Sequence, residues 1–250
     1  MNILICGALG KMGAKVIEAA QKTQDVTAIC GVDVKNTAID GFPVYDGFDK
    51  VKEKVDCVID FSSKSTLPAI IDYCVGTKTP AVLCSTGYSE EDIAAIKRAS
   101  EKVAIFRSAN MSLGVNVLIE AVKFVAKRLS DFDIEIIEKH HNKKVDAPSG
   151  TAVMIKDAVK TVFPDKTEVY GRYGIVGARD KKEIGIHAIR GGTIVGEHQV
   201  IFAGDNESLT FSHQAESRDV FAAGAVAAAK FIVNKEKGLF DMKDLLSENA

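Results

Sequence analysis

"NILICGALGKMGAKVIEAAQ" (residues 2–21) joins a short apolar run to a segment with helical spacing. The run at 2–6 is long enough for a buried strand and leads directly into Gly7. The segment at 11–21 repeats apolar residues at helical intervals, so it predicts a helix with one buried face. A strand, a glycine-rich turn and a helix in this order are typical of the first unit of a parallel sheet that binds a dinucleotide.

The rest of the first third continues this alternation. Segments 66–75 and 90–100 have helical spacing. Short apolar runs separate such segments: "VTAIC" (26–30), "DCVIDF" (56–61), "PAVLC" (80–84) and "VAIFR" (103–107). Strands that alternate with helices predict an α/β, Rossmann-like parallel sheet covered on both faces.

From about residue 112 the pattern changes. Segment 113–129 predicts a helix, "DFDIEIIEKHH" (131–141) alternates like a half-buried strand, and a further helix starts near Ser149. Three strand-like runs separated by turns follow: "IGIHAIR" (184–190), "TIVGEHQVIFA" (193–203) and "ESLTFSHQAE" (207–216). Strands in succession predict a mixed or antiparallel sheet, and hence a second, α+β domain. The small residues of 220–233 predict a closely packed helix.

Composition narrows the class of protein. A net charge of −2 and a pI near 6.2 argue against a general nucleic-acid binder. No stretch approaches the roughly 18 apolar residues of a membrane helix, and "MNILICGALG" is not a signal peptide. The five cysteines lie in the first third without a CxxC, which indicates reduced thiols and a cytoplasmic protein.

The glycine run predicts a dinucleotide site. Gly7, Gly10 and Gly13 would let the backbone approach a pyrophosphate at the helix N-terminus, although the spacing is GxxGxxG rather than GxGxxG. Asp33 follows Gly13 by 20 residues, at the end of the second strand, where a carboxylate meets the adenosine ribose. Lys35 could pair with a 2′-phosphate, so NAD and NADP both stay open. The alternatives are a structural turn and an ordinary solvated lysine.

Two further loops follow predicted strands. "CSTGY" (84–88) and "SANMSLG" (108–114) would lie at the carboxyl ends of the strands, where ligands bind in open α/β sheets. Small and polar residues there would let a nicotinamide lie close to the backbone. Turn chemistry and helix capping, with Ser112 as a cap, explain the same residues equally well.

The segment "EKHHNKKVDAPSGTA" (138–152) carries the densest group of titratable and turn-forming residues. Successive strand residues point to opposite faces, so His140 and His141 do not predict a metal site. One core histidine and one solvent histidine would be the structural alternative.

The end of the same segment predicts an anion site. Ser149 or Thr151 can cap a helix, and Gly150 leaves its backbone open. Lys143 and Lys144 lie just upstream. An anion-binding helix N-terminus beside a histidine and a lysine suits an acidic substrate that must also receive a proton.

The chain resembles the 4-hydroxy-tetrahydrodipicolinate reductase (dihydrodipicolinate reductase) family. The glycine run at 7–13 and "HHNKKVDAPSGTA" (140–152) carry the resemblance, with "IRGGTIVGEH" (189–198) and "SHQAESRDVFAAGA" (212–225). It implies a homotetramer and NADH or NADPH as hydride donor. It also implies a dinucleotide-binding domain at 1–111 completed by 221–250, and a substrate-binding and tetramerisation domain at 112–220.

The resemblance also implies roles for individual residues. His140 would be the catalytic proton donor and acceptor, and Lys144 a second proton donor. The substrate would contact His141, Gly150 and Thr151. The cofactor would be held by Gly7, Ala8, Leu9, Gly10, Lys11, Met12, Asp33, Lys35, Cys84, Ser85, Thr86, Ser108, Ala109, Asn110 and Met111. Cys84 and Ser85 depart from the Gly-Thr of many relatives.

The implied reaction reduces a cyclic imine dicarboxylate to tetrahydrodipicolinate in lysine and diaminopimelate biosynthesis. Loss of water from the substrate gives a conjugated ring. A hydride then reaches C4 of this ring, and a proton must arrive at the neighbouring carbon. A histidine that titrates near 6.5 can deliver it. Two alternatives stay open: another Rossmann dehydrogenase acting on a small amino dicarboxylate or semialdehyde, and a non-catalytic NAD(P)-sensing protein.

Overall fold

The computed structural model describes residues 1–35, 37–39 and 41–248. Within these residues seven strands form a parallel sheet. They are β1 (Asn2–Cys6), β2 (Thr27–Val32), β3 (Val44–Tyr45), β4 (Cys57–Asp60), β5 (Ala81–Leu83), β6 (Ala104–Arg107) and β12 (Gly238–Phe240). The order across the sheet is β12-β6-β5-β4-β1-β2-β3. The predicted Rossmann-like parallel sheet is confirmed.

Helices cover this sheet: α1 (Lys11–Gln21), α2 (Leu67–Thr77), α3 (Glu90–Ser100), α6 (Asp219–Ile232) and α7 (Met242–Glu248). The small residues of α6 allow close packing, as predicted. A Cβ at Gly224 would lie only 1.7 Å from the carbonyl oxygen of Met111, so no larger residue fits there without a shift. Helix α6 and strand β12 thus complete a sheet begun by the first 113 residues.

A second sheet is mixed, as predicted. Its order is β11-β10-β7-β9-β8, with β10 antiparallel to both neighbours and the other pairs parallel. The elements of this part are α4 (Leu113–Ala126), β7 (Asp133–His140), α5 (Gly150–Lys160), β8 (Thr167–Tyr170), β9 (Glu183–Arg190), β10 (Gly196–Gly204) and β11 (Glu207–Ala215). Apolar side chains of α4 and α5 pack on one face of β7, against Ile134 and Ile136.

The described chain divides into two compact units, 1–113 with 218–250, and 114–217. The roles assigned to the two predicted domains stay predictions. Two predicted elements have different bounds: the helix predicted at 113–129 ends at Ala126, and the strand predicted from 193 begins at Gly196. Three short strands, β3, β8 and β12, were not predicted. Among the described helices, none has the length and apolarity needed to cross a membrane.

Candidate functional site

The glycine loop between β1 and α1 is tightly built. Gly7 has a positive φ of 80°, its N–H donates to the Val32 carbonyl, and its own carbonyl accepts from Gly10 N–H at 3.0 Å. A Cβ at Gly13 would lie 2.3 Å from the Gly7 oxygen, so helix and loop approach more closely than any other residue would allow. Helix α1 then begins at Lys11 with no acidic residue in its first turn, which suits an anion at its N-terminus.

Asp33 is fixed beside this loop. One carboxylate oxygen (Oδ2) accepts from Leu9 N–H at 2.9 Å, and the other (Oδ1) accepts from Val34 N–H at 2.7 Å. A cavity of about 930 Å³ opens here, which is within the range of cofactor sites. Its lining includes Gly7, Leu9, Gly10, Asp33 and Lys35. Its size, its helix N-terminus and its fixed carboxylate fit the adenosine half of a dinucleotide.

Three further residues of the loop and of α1 are predicted to bind the cofactor, and they differ in burial. Ala8 is fully buried, whereas Lys11 and Met12 form the first turn of α1. The cavity is also lined by residues that the sequence analysis did not select, Phe48 and Tyr73 among them. Both rings follow the second strand in the chain, and nothing in their spacing pointed to a ligand.

The loops after β5 and β6 each combine buried and exposed residues. Cys84 and Ser85 are both 8 % exposed, while Thr86 is exposed, and burial raises the pKa of the Cys84 thiol. Ser108 Oγ donates to the Asn110 carbonyl, and the Asn110 side chain accepts from Ser112 N–H. Further along that loop, Ala109 is exposed, and Met111 is buried in the core of the first unit.

His140 ends strand β7, and its ring is held by a buried carboxylate. Nδ1 lies 2.6 Å from Oε2 of Glu138, which is fully buried. Arg190 binds the same carboxylate through both terminal nitrogens, at 2.7 and 2.8 Å. Ser149 N–H donates to Oε1 at 3.0 Å. Glu138 therefore joins β7, β9 and the start of α5.

Two pKa shifts define the charges in this cluster. Burial alone would raise the pKa of Glu138, but hydrogen bonds from Arg190, His140 and the Ser149 amide lower it overall, so the carboxylate is ionised at neutral pH. Burial lowers the pKa of His140, and this outweighs the raising effect of Glu138. The charge of Lys144 lowers it further. His140 is therefore mainly neutral at neutral pH in the ligand-free protein.

The N-terminus of α5 lies in the same cluster. Ser149 is the N-cap, and its Oγ accepts from Ala152 N–H and lies 2.9 Å from His198 Nε2. Gly150 is exposed and Thr151 half-buried, so the first residues of the helix face the surface. Burial lowers the pKa of His198 to about 4. The Lys144 ammonium forms an ion pair with Asp146 at 2.9 Å.

His141 lies just beyond the strand, and its Nδ1 is buried without a hydrogen-bond partner among the described residues. Nowhere in the described ranges do three or more His, Cys, Asp or Glu side chains form a group that could hold a metal ion.

Four residues of this cluster were not predicted from the sequence: Glu138, Arg190, Gly196 and His198. Glu138 stands two residues before His140, so strand alternation places both on one face, and that signal was available. Arg190 could be found only from the register, which pairs it with His140. A Cβ at Gly196 would lie 3.1 Å from His140 Nε2, so a larger residue there would press against this nitrogen.

Comparisons with known proteins cover the whole chain. Residues 1–111 match the family model "Dihydrodipicolinate reductase, N-terminus", and residues 114–246 match "Dihydrodipicolinate reductase, C-terminus". A 4-hydroxy-tetrahydrodipicolinate reductase of Caldanaerobacter subterraneus subsp. tengcongensis is 52 % identical over 249 residues, 99 % of each chain. One of Clostridium tetani is 46 % identical over 99 % of this chain and 97 % of its own.

A solved structure supports the fold. The dipicolinate-bound dihydrodipicolinate reductase from Paenisporosarcina sp. TG-14 superposes with a TM-score of 0.82. The match covers 96 % of this chain and 97 % of the other at 22 % identity. At this identity the likeness establishes the architecture of the chain.

Proposed function

The chain belongs to the dihydrodipicolinate reductase family, and from this premise we propose that His140 and Lys144 supply the proton of its reaction. The protein is an NAD(P)H-dependent oxidoreductase that reduces 4-hydroxy-tetrahydrodipicolinate to tetrahydrodipicolinate in lysine and diaminopimelate biosynthesis. Neither alternative, a different small-acid dehydrogenase or a non-catalytic NAD(P) sensor, gains support from any of these matches.

The observation that carries the proposal is the state of the His140 ring. Nδ1 is committed to Glu138, while Nε2 lies next to Gly196, which has no side chain to cover it. This leaves Nε2 as the nitrogen that exchanges a proton with substrate. A bound dicarboxylate adds negative charge nearby and favours the imidazolium, so substrate binding itself would charge the proton donor.

The acid is held by the N-terminus of α5. Backbone N–H groups at a helix N-terminus and the positive end of its dipole favour a carboxylate. Gly150 and Thr151 occupy that position, and His141 precedes them in the same segment. Lys144 would exchange Asp146 for a substrate carboxylate and so contribute both binding and a proton.

NADH or NADPH is held by the residues predicted for the cofactor in the first unit. Gly7, Leu9 and Gly10 with the N-terminus of α1 would bind the pyrophosphate, and Asp33 the adenosine ribose. The bound cofactor supplies the hydride. Lys35 lines the same cavity, so a contact with a 2′-phosphate stays a prediction.

The proposal also covers the roles of the two domains, the oligomeric state and the cellular location of the protein. We assign dinucleotide binding to 1–111 with 221–250, and substrate binding and tetramerisation to 112–220. Exposed apolar side chains support a homotetramer, because surface patches of this kind usually meet a partner: Tyr170, Tyr173, Ile175 and Val176. The five cysteines are buried free thiols, which supports a cytoplasmic location.

The test follows the absorbance of NADH or NADPH in the presence of the condensation product of pyruvate and aspartate semialdehyde. We expect oxidation with this substrate, and a marked loss of kcat/KM in Lys144→Ala. Lys143→Ala is the matched control, since its exposed side chain has no proposed contact. Absence of turnover, or equal losses in the two variants, would contradict the proposal.

A further inference from the structure

We propose that Glu138 is the positioning residue that selects the reactive nitrogen of His140, and that Arg190 holds Glu138 in this role. The inference rests on the proposed function of His140. Glu138 and Arg190 were not part of the predicted site, and their charges explain why a carboxylate and a guanidinium occur at these positions.

The carboxylate of Glu138 accepts four hydrogen bonds. Oε1 accepts from Ser149 N–H and Arg190 Nη2, and Oε2 accepts from Arg190 Nη1 and His140 Nδ1. An ionised carboxylate can only accept, so the hydrogen between Glu138 and His140 belongs to Nδ1. The neutral ring is therefore the Nδ1–H tautomer, with its lone pair on Nε2, which takes up and delivers the catalytic proton.

Arg190 keeps the Glu138 carboxylate ionised and so maintains the Nδ1–H tautomer of His140. A fully buried carboxylate without a cation would become protonated and could then donate to Nδ1, which would reverse the tautomer. The bidentate guanidinium prevents this, because it stabilises the ionised form and fixes the plane of the carboxylate. Arg190 also donates to the Asp146 carbonyl at 2.7 Å, so it anchors the turn that carries Lys144.

Glu138 also links the proton donor to the acid-binding helix. The Ser149 amide that binds Oε1 belongs to the N-cap of α5. One buried side chain thus fixes the orientation of the His140 ring and the position of the first turn that would hold the substrate. Such shared positioning is what proton transfer needs, because it depends on sub-ångström placement.

Other charged groups face the same ring. Lys144 and Arg190 both lower the pKa of His140, and Glu138 raises it. His198 packs edge-on against it, with ring centroids 5.3 Å apart. Asp146 pairs with Lys144. Of these groups, Glu138 is bonded directly to an imidazole nitrogen of His140.

The test compares Glu138→Gln with Glu135→Gln in the full-length enzyme. The position of Oε1 faces two donors, Ser149 N–H and Arg190 Nη2, so the oxygen of the variant amide takes it. The NH₂ then takes the position of Oε2, where Nδ1 of His140 is the neighbour that can become an acceptor. We expect nitrogen NMR of the ligand-free protein to show the Nδ1–H tautomer of His140 in the parent and the Nε2–H tautomer in Glu138→Gln. Glu135→Gln should keep the parent tautomer.

Activity gives a second readout. We expect Glu138→Gln to lower kcat roughly 10²-fold with little change in KM, a part of the usual contribution of acid–base catalysis. The descending limb of its pH profile should move to lower pH, because the group that raises the pKa of His140 is lost. Glu135→Gln should keep kcat within about twofold, since it does not touch the site.

An unchanged tautomer in Glu138→Gln would overturn the inference, as would equal losses of kcat in the two variants. If Glu138→Gln does not fold, Arg190→Lys provides the test, because it keeps the cation but loses the bidentate contact. A pH profile identical to that of the parent would then count against the role of Arg190. The tautomer is measured without substrate, so it separates this inference from a failure of the proposed reaction.

Discussion

Strand β7 carries two glutamates with the same kinds of partner on opposite faces. On one face Glu138 binds His140 and Arg190. On the other, Glu135 binds His187 at 2.7 Å, together with Arg172 and Arg179. The side chain of Glu138 is fully buried, whereas that of Glu135 is 21 % exposed.

The difference lies in what surrounds each histidine. On the outer face, Nε2 of His187 is itself the atom bonded to Glu135, and the arginines attach a loop. Arg179 also donates to the carbonyls of Ile134 and Glu183. On the inner face, the bonded atom is Nδ1, and Nε2 lies beside Gly196 and near a helix N-terminus. The same residue types therefore form a structural clamp in one place and, in the other, the group that we propose transfers a proton.

The largest expected difference is in kcat, when the histidine on each face of β7 is replaced. His140→Gln keeps hydrogen-bonding ability but removes the transferable proton, so kcat should fall by roughly 10²–10⁴ with little change in KM. His187→Gln should leave kcat within about twofold. Steady-state kinetics across neutral pH measure both. A near-normal kcat in His140→Gln would leave Lys144 as the sole proton donor.

The next difference is in stability. Arg190→Met leaves the buried Glu138 carboxylate without its cation, so the free energy of unfolding should fall by about 3–5 kcal/mol. Arg172→Met removes a contact of a partly exposed glutamate, and about 1 kcal/mol or less is expected because solvent screens it. Urea unfolding with matched slopes gives both values. Equal losses of unfolding free energy in the two variants would mean that the deeper burial of Glu138 does not make its ion pair more important for stability.

A smaller difference is expected in the pH dependence of stability. The folded pKa of His198 is depressed to about 4 by burial, below its ordinary value of 6.5. The unfolded chain therefore binds the proton more readily, and stability falls as pH drops from about 6.5 towards 4, by at most about 3 kcal/mol.

His198→Gln should flatten this decline between neutral pH and about pH 5. Glu135→Gln leaves the Ser149 partner of His198 in place and should keep the parent slope. Unfolding free energies measured at the two ends of that range decide the question. A slope that persists in His198→Gln would assign the decline to another group.

Local patterns made the glycine loop predictable, but not the whole cluster around His140. Gly7, Gly10 and Asp33 belong to a motif whose parts are near in sequence, and the structure brings them to one cavity. Glu138 and Arg190 are 52 residues apart, and their contact depends on the register of β7 against β9. Sequence periodicity predicts the face of the sheet on which a side chain lies, but it does not predict which residue of the neighbouring strand lies beside it.

Short elements were missed for a related reason. Strand β3 has two residues and β12 has three, which is too few for an alternating pattern to be seen. Their place is set by neighbours that are distant in the chain. Met111, predicted to lie near the cofactor, is 2 % exposed in the core of the first unit, and its contact with the cofactor stays a prediction. Loop sequence alone did not show that α6 would pack against it.

The discontinuity of the first unit has a consequence during protein synthesis. Strand β6 ends at Arg107, but its partner β12 does not begin until Gly238. At about 5–20 residues per second, a ribosome needs on the order of ten seconds to make the chain between them. Throughout that interval the nascent chain has an unpaired sheet edge, and for most of it helix α6 has not been made. Cys57 and Cys84 share a core cluster with residues of α6, so this part of the first unit can reach its final packing only once translation is nearly finished.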